Sequence, residues 1–303
     1  MPDKDLTQVD VDEIRAFLTR TCEETGRWLP GTGWQRAWRS EAEGEVRNGE
    51  QRADGTPWGE DPVAAAYAAA TVLLFAALDS LNALRDAVNV SSTSYVPGVL
   101  SRAAMEAGAQ AWWLLEPGID ARRRVIRSVL VRAGSAENLE TTVHAVESTA
   151  LVSDYGEDPA AILAYATALG LAYAKVKNAY GNKAFESEGE RLPGYTERAV
   201  ALETDMQMSA GYRLYSGAAH AELYSVMQGW RQVTPGTAAP LERWCDREVV
   251  WMAVLASAGF VMMPVYRALV LLGLNARMVE MVRSMKDIGK MTQRMKLPPA
   301  WAY

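Results

Sequence analysis

The chain is short of the residues that staple or metallate a fold. It has two cysteines, Cys22 and Cys245, far apart and in no metal-ligand spacing, and two histidines, His144 and His220. A disulfide framework is excluded, a zinc ribbon has no ligands, and the expected compartment is a reducing cytoplasm. A surplus of positive charge is also missing: the net charge is −6, so nucleic-acid binding would need a local basic patch. The opening residues, MPDKDLTQVDVDE, are acidic and polar, and no secretory leader is expected from them. No P-loop, dinucleotide fingerprint or serine-hydrolase elbow occurs. Strand-type alternation is weak throughout, and no repeat or low-complexity block interrupts the chain.

What the 303 residues do hold is apolar surface, 49% of the composition, enough for a large core. Helical signals dominate. Asp10 and Asp12 are candidate caps for a first amphipathic helix ending near Gly26. Residues 28–62 are rich in Gly, charge and tryptophan (Trp28, Trp34, Trp38, Trp58) and read as a long arm packed on something, with a short helix around 35–45. Asp61-Pro62 opens a helix to about Val88, with Pro62 in the tolerant first turn. Further helices are expected over 96–116, from Asp120 to about Glu147, and from Asp158-Pro159 to about Tyr180. A polar connector, GNKAFESEGERLPG, leads to helical segments over 195–229. The most apolar helix is expected over 241–274, where Pro264 should kink or divide it, and an amphipathic tail over 275–295. Residues 249–266 carry no charge and just reach spanning length. Asp246, Arg247 and Glu248 directly before them, and Ser257, Gly259 and Pro264 within, fit a buried bundle helix, as does the Ala-rich run 63–78. No membrane association is expected. The fold class is all-α.

Residues 209–224, SAGYRLYSGAAHAELY, carry the sharpest polar pattern. On a helix Ser209, Arg213, Ser216, Gly217, His220 and Tyr224 share one face, with Arg213 and His220 two turns, roughly 10 Å, apart. An imidazole that passes protons and a guanidinium that grips phosphate suit attack on a phosphodiester. The bland alternative is a buried histidine bonded to Ser216 or a carboxylate. Arg102 and Glu106 form an i, i+4 pair on an earlier helix, either a partner that orients His220 or an internal salt bridge. Trp112 and Trp113 follow, as pocket lining or as core. Arg122, Arg123, Arg124, Arg127 and Arg132 make the most basic helix, a phosphate patch or a solvated salt-bridged face. The tail cations from Arg277 to Lys296 are read the same way. Metal-ligand patterns are poor: Glu140 and His144 are four apart, and Asp154 and Asp158 in DYGED stand beside a proline without a second aspartate motif. No cofactor or metal is expected.

The phrase YRLYSGAAHAE, with six residues between Arg213 and His220, resembles the Arg–(four to six residues)–His motif of the HEPN superfamily. Arg102 and Glu106, in SRAAMEAGAQAWWLLEP, occupy the place of an Arg–Glu pair found on an earlier helix of HEPN-like members. The resemblance covers roughly residues 96–227. It implies a HEPN-like helical bundle, often a homodimer. It also implies, in active members, a metal-independent ribonuclease of toxin or phage-defence type, with RNA as partner. Arg213, His220 and Glu106 would then be catalytic, and Arg102, Tyr212, Ser216, Tyr224, Arg123 and Arg127 would contact substrate. Active members tend to place a polar residue after the motif arginine, where Leu214 stands here, and many members are non-catalytic binding or scaffold modules. A third reading is a helical enzyme with an aromatic-lined cavity for an isoprenoid-like substrate, faced by Asp79, Asp154 or Asp158. The expected organisation is an N-terminal helix and Trp-rich arm (1–60), the HEPN-like bundle (61–230) and C-terminal helices packing on it (231–303).

Overall fold

The computed structural model describes residues 5–29, 36–47, 50–90, 95–146, 159–177, 183–206, 230–232 and 241–294, together with Tyr212, Ser216 and His220. The described residues are mostly helical, which establishes the all-α class. Helix α1 spans Gln8–Trp28 and starts in a capping box. The Thr7 hydroxyl accepts from Asp10 N at 3.2 Å, and the Asp10 carboxylate accepts from Thr7 N at 3.0 Å. The cap is therefore Thr7, and Asp10 is its reciprocal partner. Helix α2 is Glu41–Arg47, α3 Asp61–Ala87, α4 Tyr95–Leu115 and α5 Ala121–Val146. Asp120 caps α5 as its position predicts, accepting from Arg123 N at 2.8 Å. Then come α6 Pro159–Ala168, α7 Tyr195–Asp205, α8 Arg247–Leu272 and α9 Asn275–Arg294.

Helix α8 sits at the centre. It is buried nearly all round, as a helix without a polar face must be. It lies beside α4 in parallel register: Ser101 bonds to Ala253 O, Gly108 abuts Phe260, and Leu115 O accepts from Arg267 Nε at 2.9 Å. Steps of seven residues on α4 match steps of seven on α8. Pro264 does not divide α8, which continues to its left-handed cap at Gly273 (φ 69°). Both α3 and α8 are long and apolar enough to cross a membrane by length and composition, but 78% of the most apolar stretch of α8 is buried inside the protein, against 44% for α3. The outward face of α3 leaves Val72 and Phe75 exposed.

Side chains from all three expected stretches meet in one core. Trp28 and Trp58 of the arm are buried in it, and Trp58 Nε1 donates to Leu169 O at 3.0 Å. Trp38 is instead exposed, covered on one side by the Arg47 guanidinium at 4.4 Å. Trp34 lies outside the described residues.

The connector after α6 is where sequence and structure differ most. Helix α6 ends at Ala168, not near Tyr180, and a small antiparallel sheet follows: β1 Ala174–Lys177, β2 Lys183–Ser187 and β3 Glu190–Arg191. Glu188 and Gly189 (φ 51° and 82°) make the two-residue turn between β2 and β3, the positive-φ pair that a tight hairpin requires. A second pair, β4 Trp230–Gln232 and β5 Leu241–Arg243, occupies residues read as loop and as the start of the last apolar helix.

Both cysteines are buried, and neither is in a disulfide. Burial pushes the Cys22 thiol from its ordinary 9.0 up to about 11, partly offset by Arg85. The unfolded chain then loses this proton before the native one does, so this contribution to stability is intact below pH 9 and declines between pH 9 and about 11. At pH 8 a thiol reagent should label native Cys22 no faster than the protein unfolds. A rapid labelling phase in the wild type that is missing from Cys22→Ala would contradict that burial.

Candidate functional site

Arg102, Glu106 and Gln110 recur every four residues and form one polar stripe on α4. Helix α7 packs across α4, supplying Arg198, Glu203 and Asp205 to the same seam. Arg102 Nε donates to Glu106 Oε1 at 2.5 Å, and Tyr212 OH donates to the same oxygen at 2.9 Å. Arg102 also reaches across the seam, where Nη1 donates to the Ser216 carbonyl at 2.9 Å and the guanidinium lies 5.8 Å from the Tyr212 ring. The Tyr212 backbone N–H donates to Glu203 at 2.5 Å, and Trp112 Nε1 donates to Asp205 at 2.9 Å.

An apolar cluster of Met105, Ala109, Trp112, Leu202, Met206, Phe260 and their neighbours encloses the Tyr212 ring, which is 1% exposed. Burial first, and the Glu106 carboxylate second, raise the Tyr212 phenol above its ordinary range. Burial works against the Arg102 charge, and the bond to Glu106 more than reverses it, so that guanidinium holds its proton more firmly. The seam is thus a clamp: α4 fixes residues 212 and 216 by side-chain and backbone bonds.

His220, one turn beyond Ser216 in sequence, is exposed. Glu106 is bonded to Arg102 and Tyr212, and among the described residues it makes no bond to His220. The expectation that Glu106 orients His220 is replaced by a carboxylate that orients Tyr212. Arg213 and Tyr224 lie outside the described residues. Of the predicted set, the structure brings together Arg102, Glu106, Tyr212 and Ser216.

The basic helix is neither a phosphate patch nor a solvated face along its length. Arg124 is 0% exposed and bidentate on Glu45. Arg127, buried, donates to Glu190 at 2.9 Å, to Trp113 O at 2.6 Å and to Glu116. Arg123 lies 2.5 Å from Glu190, and Arg122 is held by Glu188. The α5 arginines therefore fasten α5 to α2, to the end of α4 and to β3. Burying them requires this pairing, because an unpaired guanidinium in the core is costly.

Asp79, expected to face an aromatic cavity, is exposed on α3. Among the described residues no three His, Cys, Asp or Glu side chains converge as metal ligands would. The side chains of Glu140, His144, Asp154 and Asp158 are outside the described set.

Sequence reasoning missed Gln110 and Arg198. Gln110 was within reach as the next residue of the Arg102–Glu106 spacing. Arg198 carried no signal, since TERAVALE reads as an ordinary solvated turn of helix. No protein-family model matches the chain, and no curated protein and no solved structure matches it.

Proposed function

We propose that this chain is a HEPN-like helical protein that acts as a binding module, with Tyr212 and Ser216 held at a fixed recognition face and not in a hydrolytic centre. The observation that carries the reading is the Glu106 carboxylate, which is shared between Arg102 and Tyr212 instead of serving His220. An acid–base pair needs its carboxylate or imidazole within reach of a transferable proton, and here the carboxylate has a structural occupation. The acidic balance of the chain, Leu214 after the motif arginine and the internal use of the α5 arginines all weaken an RNA grip. A second reading is favoured by one fact, the exposure of His220. On that reading His220 and Arg213 cleave RNA without metal, through 2′-hydroxyl attack in a homodimer cleft.

One experiment separates the two. Purified protein is incubated with RNA in EDTA, wild type beside Arg213→Ala and His220→Ala. The binding-module reading expects no cleavage by any of them. Cleavage by the wild type that both folded variants lose would overturn it and establish the nuclease. Glu106→Ala supplies the structural half of the test. It should lower unfolding free energy by about 2 kcal/mol, because it strands the partly buried Arg102 and Tyr212 donors. A Glu106→Ala protein of undiminished stability would argue against the clamp.

A further inference from the structure

Beyond the clamp, α7 carries a buried cation that the described contacts leave short of a counter-charge. Arg198 is 4% exposed. Its Nη1 donates to Pro193 O at 2.5 Å, its Nη2 to the Gln110 side-chain carbonyl at 3.3 Å, and its guanidinium stacks 4.7 Å from the Tyr195 ring. Among the described residues its Nε–H has no partner and no carboxylate pairs with it. Glu106 and Glu197 act on it only through space, and burial lowers its affinity for its proton. Among the described residues, the other arginines buried to this degree, Arg124, Arg127 and Arg267, are each paired with a glutamate.

Arg198 also lines a cavity of about 200 Å³ between α5, the β2–β3 hairpin and the start of α7. Phe185, Val131 and Leu192 give it apolar walls, while Ser135, Asn138 and Tyr195 bring its lining to the surface. A cavity of about 150 Å³ accommodates a benzene ring, so a single ring with one small substituent fits the space.

We propose that this cavity binds a small aromatic monocarboxylate, with the carboxylate on Arg198 and the ring between Phe185 and Leu192. One buried cation with an unpartnered N–H and no carboxylate partner among the described residues matches one negative charge; charge-assisted bonds of this kind are the strong ones. A phosphate dianion is disfavoured, because Arg198 offers it a single positive charge and the Glu137 carboxylate, paired with Lys175, also lines the cavity. The apolar walls select against small hydrophilic anions. The carboxylate site uses neither Arg213 nor His220, and it stands whether those residues bind or cleave.

The test is titration calorimetry on the full chain with benzoate, benzamide and inorganic phosphate, using wild type, Arg198→Met and Ser135→Trp. Benzoate should bind wild type saturably, and benzamide, equal in shape and uncharged, at least about tenfold more weakly. Arg198→Met should lose benzoate binding. Ser135→Trp places a ring at the exposed mouth without touching Arg198, and should lose it too even if Arg198→Met fails to fold. Absence of benzoate binding to wild type overturns the proposal. So do equal affinity for benzamide, preference for phosphate, or benzoate binding undiminished in a folded Ser135→Trp.

Discussion

Glu45→Ala should cost about 3–5 kcal/mol of unfolding free energy, close to the whole margin of many domains. Glu45 receives Arg124 Nε at 3.0 Å and Nη2 at 2.8 Å, and the Tyr67 hydroxyl at 2.7 Å. Arg124 is fully buried, donates its remaining nitrogen to Leu114 O at 2.6 Å and lies 5.3 Å from the Tyr67 ring. Removing the carboxylate leaves a guanidinium with no counter-ion in the core, the expensive way to break such a pair.

The location adds to the effect. Helix α2 has seven residues, too few to persist alone. Two carboxylates one turn apart tie it down: Glu41 on Arg267 of α8, at 2.9 Å, and Glu45 on Arg124 of α5. Urea unfolding of Glu45→Ala, Arg124→Met and the pair Glu45→Met/Arg124→Met distinguishes pairing from packing. Each single variant should be strongly destabilised. The double variant should recover most of the loss, since an apolar pair of similar volume avoids desolvating two charges. Losses that simply add would mean that the ion pair is not the source of the stability.

Glu45 and Arg124 also mark how far the sequence could be read. Elements were legible wherever a local rule decides them. Pro62 in a first turn, Asp120 before α5 and the unbroken apolar run of α8 each announce a helix without reference to the rest of the fold. Partners were not legible, because nothing in SEAEGEVR or ARRRVIRS says that these charges face inward toward each other. A solvated helix with five arginines and a buried one with matched glutamates have the same composition.

The β2–β3 hairpin failed for a related reason. Phe185 and Ser187 point inward, but the run is five residues of mostly polar type, and its Glu-Gly turn is a weak form of the usual Asn-Gly signal. At the candidate site, the i, i+4 spacing correctly placed Arg102 and Glu106 together. It could not tell which third group the carboxylate would choose, and the choice of Tyr212 over His220 separates a clamp from an acid–base pair.

Gly108→Ala should destabilise the protein by about 3 kcal/mol or more, although alanine is the better helix former by about 1 kcal/mol. A methyl group there would lie inside the contact radius of the Phe260 carbonyl oxygen and 2.9 Å from its carbon, both backbone atoms of the central helix. That carbonyl lacks its i+4 partner because Pro264, four residues on, has no N–H to offer it and crowds it with its ring. Gly108 permits this close approach because it has no side chain to place against that carbonyl. Relief of the clash requires α4 and α8 to separate. That would strain the bonds at both ends of their parallel seam, Ser101 with Ala253 O and Ser257, and Arg267 with Leu115 O. At Gly44, on α2, an added methyl group would meet nothing within 4 Å, so Gly44→Ala should be neutral or stabilising. Urea midpoints of the two variants should therefore move in opposite senses or differ widely. A Gly108→Ala protein as stable as wild type would mean that α4 and α8 are not in backbone contact. The same protein with Pro264→Ala added tests the pairing of the two residues. Restoring the N–H draws the Phe260 carbonyl back into its helix, and the double variant should lose less than the sum of the single changes.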